Sequence, residues 1–137
     1  MSPGSVMALA RPIASCIMPT ANRRAFVPQA IALFLDQDYP DKELVILDDG
    51  TDAIGDLVPA EPAIRYIRTA PGLSLGAKRN AACEAARGDV ILHWDDDDWY
   101  APGRIRRQVD ALQAGGADIA GIRRAYFADF GARRARK

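Results

Sequence analysis

The chain has 137 residues, the length of one domain and too short for two conventional ones. Hydrophobic residues make up 49% and charged residues 26%, with 18 basic and 18 acidic side chains that cancel. That composition excludes an intrinsically disordered chain, and the neutral balance removes any global field that would recruit nucleic acid or an anionic membrane. The two cysteines, Cys16 and Cys83, are far apart and lie in apolar stretches, and His93 is the single histidine. A zinc site and a disulfide scaffold are therefore set aside, and both thiols are expected to be buried and reduced. No apolar run approaches the ~18 residues of a membrane-spanning helix, and the first ten residues lack the basic and apolar regions of a secretory signal. A cytoplasmic protein is the simplest expectation, with docking at a membrane surface left open.

In chain order, residues 1–12 form a flexible amino-terminal segment. Ile13 to Met18 is a short continuous apolar run, which suits a strand buried on both faces, stopped by Pro19 and followed by a loop to Asn22. Arg24 to Leu35 places Phe26, Ala30, Leu33 and Phe34 at helical spacing, with Val27 and Ile31 alongside and Pro28 in the first turn. A turn at Asp38 to Asp41 leads to a second buried strand from Glu43, which ends in Asp48-Asp49-Gly50. Ala63 to Thr69 reads as a third strand. Ala77 to Arg87 reads as an alanine-rich helix closed by Gly88, and Asp89 to Trp94 as a fourth strand ending in Asp95 to Asp98. A helix from Pro102 to Ala114 and a strand from Asp118 to Phe127 follow, and residues 128–137 form a basic tail. With Arg123 and Arg124 that tail offers a contact for phospholipid or nucleic acid, although a solvated, disordered end is the preferred reading and no nucleic-acid partner is expected.

This alternation predicts an α/β domain over residues 13–127 with a mostly parallel sheet. In open α/β sheets ligands bind beyond the carboxyl ends of the strands, which is where the polar clusters fall. At ~4 Å and an effective dielectric near 20, each like-charged pair of aspartates repels by roughly 4 kcal/mol. Trp94, Trp99 and Tyr100 flank the run and limit its solvation. A divalent cation is favoured over a solvated acidic loop, and oxygen-only ligands select Mg²⁺ or Mn²⁺. An EF-hand fails, because Tyr100 stands where its loop needs glycine and Arg106 where it needs the closing glutamate. Gly72 to Arg79 lacks the glycine spacing and the Gly-Lys-Ser/Thr of a phosphate loop, and Ser15 and Ser74 lie in no nucleophile-elbow pattern. Lys78, Arg79 and Arg104 could face a phosphate. For Lys78 and Arg79 a solvated helix face fits equally well.

Four stretches carry a resemblance: Ile17 to Arg23 (IMPTANR), Gln37 to Gly50 (QDYPDKELVILDDG), Gly76 to Asn80 (GAKRN) and Trp94 to Arg104 (WDDDDWYAPGR). In order and spacing the chain resembles the amino-terminal, nucleotide-sugar-binding half of a family 2 glycosyltransferase with the Rossmann-like GT-A fold. The resemblance implies that Pro19, Thr20 and Asn22 line the nucleoside pocket. It also implies that Asp49 accepts a hydrogen bond from the uracil N3–H and that Arg79 lies near the nucleotide. Asp95-Asp96-Asp97 would be the D-x-D element, with Asp96 at the ribose and Asp97, beside Asp95, at a Mg²⁺ or Mn²⁺ ion. The implied activity is inverting, metal-dependent transfer of a sugar from a nucleotide-diphospho-sugar, first of all a UDP-sugar, to an acceptor hydroxyl.

Ala21 departs from the tyrosine that usually precedes the asparagine. The chain is also shorter than a complete GT-A domain, as if truncated after the D-x-D element. The acceptor pocket and general base belong to the half that would follow, so no catalytic residue is assigned and the acceptor is unknown. In the family a strand of that half lies beside the one ending at Trp94, so this strand is expected to form an exposed edge prone to self-association. The alternative function is a nucleotide-binding module that transfers nothing. A sugar-nucleotide-forming enzyme would need a glycine-rich amino-terminal loop, and Pro19 to Arg23 has no glycine.

Overall fold

The computed structural model describes residues 11–114 and the backbone of residues 125–127. The elements in order are β1 (Ala14–Thr20), α1 (Val27–Leu35), β2 (Lys42–Asp48), a 3₁₀ turn (Gly55–Leu57), β3 (Ile64–Arg68), α2 (Leu75–Ala85), β4 (Val90–His93), α3 (Arg104–Ala114) and β5 (Ala125–Phe127). The strands form one sheet in the order β3-β2-β1-β4-β5, and each adjacent pair is parallel. The chain winds outward from β1 through β2 to β3, then crosses back to lay β4 on the other side of β1. The switch between β1 and β4 opens a crevice at their carboxyl ends.

The continuous apolar strands follow from burial on both faces. Cys16, Met18, Leu44, Ile46 and Leu92 point to one face, where they pack with Val27, Ala30, Ile31 and Phe34 of α1 and Ile105 and Val109 of α3. Ile17, Val45, Leu47 and Ile91 alternate to the other face and meet Ala82 and Ala86 in and just beyond α2. Alanines there let the helix lie close to the sheet. Gly88 serves the same close packing, since a Cβ on it would stand 2.5 Å from the Ile13 carbonyl oxygen.

Several expectations shift by a few residues for identifiable reasons. β1 does not stop at Pro19 but continues to Thr20, paired with Leu47 and Asp48 of β2. The β1–β4 ladder ends at Ile17 and His93, so the absent N–H of Pro19 costs no bond. α1 begins at Val27 rather than Arg24, with Pro28 in its first turn as expected. Phe26 therefore precedes the helix and is 44% exposed instead of joining the core. α2 starts earlier than Ala77, capped by the Ser74 hydroxyl, which accepts from the Ala77 N–H at 3.0 Å. Cys16 is buried, and burial pushes its thiol well above the ordinary range. Cys83 is only partly buried, and both are free thiols.

The expected exposed edge at the strand ending near Trp94 is corrected. Val90, Ile91 and Leu92 of β4 pair with Ala125, Tyr126 and Phe127 of β5, so β4 is interior, and among the described strands β3 and β5 are outermost. The remainder of the anticipated last strand (118–124), the basic tail and residues 1–10 lie outside the described residues. Among the described residues no helix is long and apolar enough to cross a membrane.

Candidate nucleotide-sugar site

At the β1–β4 switch point lies a cleft of about 470 Å³. It is lined by the end of β1 and its loop (Pro19, Thr20, Ala21 and Arg23), by Asp95, Asp96 and Asp97 after β4, and by Leu75, Lys78 and Arg79 of α2. The acids are brought there by the segment after β4. Trp94 is 1% exposed, its indole N–H donates to the Ala30 carbonyl at 3.0 Å, and its ring stacks on Tyr100 at 3.9 Å. The Asp95 backbone N–H donates to the Tyr100 hydroxyl at 2.7 Å, which turns the run back over the crevice. Burial pushes the Tyr100 hydroxyl well above its ordinary pKa, so it adds no charge beside the acids.

The repulsion within the run is met by groups from β1 and its loop. The Thr20 hydroxyl donates to Asp96 at 2.8 Å. Arg23 places one guanidinium nitrogen 2.8 Å from Asp97 and another 3.5 Å from Asp96. Among the described residues no three carboxylate, thiol or imidazole groups form a ready-made metal cage. The donor set nonetheless suits Mg²⁺ or Mn²⁺ in a phosphate-bearing complex, where the ion is held by one or two carboxylates and completed by phosphate oxygens and water. Asp95 and Asp97 would supply the protein's share.

The second acidic pair, at the end of β2, is built differently. Asp48 is fully buried and accepts from the Gly50 N–H (3.0 Å), the Ile54 N–H (3.1 Å) and the Tyr66 hydroxyl (2.6 Å), with Arg68 at 3.4 Å. It organises the loop that carries its neighbour. Asp49, 6% exposed, accepts from the Lys78 ammonium at 3.0 Å and the Leu73 N–H at 3.2 Å. The bond from Lys78 holds the Asp49 carboxyl below the usual carboxylate range.

The structure thus gathers Pro19, Thr20, Arg79, Asp95, Asp96 and Asp97 around one cleft. Asn22 does not line it. Its backbone is left-handed (φ 57°), and its side-chain oxygen accepts from the Asp52 N–H at 2.8 Å and the Thr51 hydroxyl at 3.2 Å, tying the β1 loop to the β2 loop. Asp49 is not among the lining residues either, but it is bound to Lys78, which is. Arg104 stacks its guanidinium over Tyr100 at 4.5 Å and does not line the cleft. Sequence reasoning assigned no role to Arg23, although it closes the stretch Ile17 to Arg23. Its position directly after that loop was the available signal.

The parallel sheet, with three aspartates and three cations around the cleft at its switch point, has the fold of the GT-A nucleotide-diphospho-sugar transferases, as the solved relatives below show. The family profile of Glycosyl transferase family 2 matches residues 15–137, and the chain belongs to that family. Over 106 residues it is 30% identical to an uncharacterized glycosyltransferase of Haemophilus influenzae, covering 74% of this chain and 42% of that protein. It is 36% identical over 99 residues to the putative colanic acid biosynthesis glycosyl transferase WcaA of Escherichia coli, covering 69% and 36%. This chain therefore spans less than half the length of these relatives. A mannosyltransferase of Pyrobaculum calidifontis, solved with GDP-Man and Mn²⁺, superposes with a TM-score of 0.69 at 24% identity over 74% of this chain and 32% of its own. TarS of S. aureus in complex with UDP-GlcNAc gives 0.66 at 23% identity, covering 74% and 31%.

Proposed function

We propose that this chain is the donor-binding half of an inverting, metal-dependent glycosyltransferase that takes its sugar from a nucleotide-diphospho-sugar, a UDP-sugar first. The observation that carries the reading is the gathering of Pro19, Thr20 and Arg23 with Asp95, Asp96 and Asp97 around the switch-point cleft. GDP-Man with Mn²⁺ and UDP-GlcNAc in the related folds support it. Asp49 accepts the base N–H, since a carboxylate held ionised by Lys78 is a strong acceptor. Asp96, oriented by Thr20, meets the ribose; Asp97 and Asp95 hold Mg²⁺ or Mn²⁺. Bound there, the ion would neutralise the diphosphate and make it a better leaving group. Arg79 adds positive charge to the lining of the cleft. The acids lining the cleft among the described residues all belong to this D-x-D run, and the base that deprotonates the acceptor hydroxyl is not assigned to any of them.

Calorimetric titration of UDP and of GDP, with Mn²⁺ and again with chelator, tests the reading. The expected outcome is metal-dependent binding that Asp97→Ala weakens at least about tenfold, a loss of ~1.4 kcal/mol. Absence of binding to the folded protein with either nucleotide, or binding indifferent to chelator and to Asp97→Ala, refutes it.

A further inference from the structure

The two cations that meet acids at this site are held in contrasting ways. Lys78 and Asp49 are 12% and 6% exposed, a nearly buried pair. Arg23 and Asp97 are 39% and 37% exposed, and the Arg23 guanidinium rests 4.7 Å above the ring of Phe26, itself 44% exposed. The backbone beneath Arg23 is fixed by Asn22 and its bonds to residues 51 and 52, but the short contact of the guanidinium is to the exposed Asp97, and its contact with the nearly buried Asp96 is a long one. Its anchor points, Asp97 at 2.8 Å and Asp96 at 3.5 Å, are carboxylates facing the cleft.

We infer that Arg23 is an internal counter-ion standing in for the divalent cation, and that it leaves Asp97 when the nucleotide diphosphate enters. The inference rests on the metal reading above and adds to it the order of events. A cation arriving alone must displace a guanidinium already bonded to Asp97, so it binds weakly. A diphosphate offers that guanidinium a more highly charged, bidentate partner within the same cleft. Its arrival draws Arg23 off Asp97 and opens the carboxylate to the cation. Cation and nucleotide therefore bind with positive coupling, and linkage requires that each raise the other's affinity by the same factor.

The test is Mn²⁺ binding followed by electron paramagnetic resonance, without and with saturating UDP or GDP. It compares wild type, Arg23→Ala and Arg23→Gln, with circular dichroism to confirm folding. Without nucleotide, both variants are expected to bind Mn²⁺ roughly fivefold more tightly than wild type, the upper range for releasing a half-exposed ion pair. With nucleotide the advantage disappears, and UDP affinity falls in the variants while uridine affinity does not. Unchanged or weaker Mn²⁺ binding by the folded variants without nucleotide overturns the inference and leaves the metal reading intact. No Mn²⁺ binding by any form, with or without nucleotide, overturns both.

Discussion

Two strands of this sheet lead into runs of aspartates, β2 at Asp48 and Asp49 and β4, after Trp94, at Asp95 to Asp98, and the structure treats them oppositely. At the end of β2, Asp48 is fully buried beneath two backbone N–H donors, a tyrosine and an arginine, and Asp49 is held by Lys78 and a backbone N–H. At the end of β4, Asp96 and Asp97 are met by Thr20 and a half-exposed arginine, and Asp97 stays open to solvent. The first pair is fixed in charge and position before any ligand arrives. The second is held by contacts that leave Asp97 and Arg23 both more than a third exposed, and in the inference above it changes partners. A carboxylate that reads a base edge gains from rigidity, whereas one that exchanges a side-chain cation for an inorganic one must remain accessible.

The sharpest way to break this contrast is at Asp48. Asp48→Ala strands buried N–H and hydroxyl donors and leaves Arg68 without its carboxylate, so unfolding by urea should show a loss of about 3–5 kcal/mol. A loss below ~1 kcal/mol would mean that the β2 end is as loosely held as the β4 end. A smaller effect is expected at Gly50, where an added Cβ would stand 2.5 Å from the Asn22 backbone nitrogen and 3.0 Å from the Ala21 Cα. Gly50→Ala should cost ~1–3 kcal/mol and weaken nucleotide binding by displacing the β1 loop, which calorimetry on the folded variant would detect. A variant that binds normally would show that the two loops move independently.

The smallest effect is in the pH profile of Lys78→Met. Because the folded state depresses the Asp49 pKa, the ionised carboxylate contributes stability above the unfolded value of about 3.9, and the contribution is lost as pH falls through the lower folded value. Wild type should therefore exceed Lys78→Met in melting temperature by a few degrees at neutral pH. The gap should narrow as the solution is acidified below that value. A gap independent of pH would assign Lys78 a packing role only.

The architecture was legible because both faces of the sheet are covered, which writes each inner strand as an unbroken apolar run bounded by turn residues. The acidic clusters, placed at strand ends, could be located before any contact was known. What sequence could not supply were partnerships across the sheet. Lys78 lies 29 residues from Asp49, and Arg23 lies 74 from Asp97. Which cation meets which acid is decided by the order of strands and by where α2 lands, not by local spacing. Phe26 misled for a related reason: its helical spacing was correct, but Pro28 sits in the first turn of a helix that starts at Val27 and leaves the ring outside. The pairing of β4 with β5 likewise depended on a three-residue contact distant in sequence.

The tryptophans on either side of the acidic run give the molecule an optical gauge of its own. Trp94, stacked on Tyr100 and sealed in the core, is out of reach of a dissolved quencher, whereas Trp99 is 67% exposed. Five residues apart, the two indoles sit in different media, so emission from this short segment should divide into a blue, protected component and a red, quenchable one. The protected component should follow the integrity of the sheet, and the quenchable one the surface just beyond the acidic run.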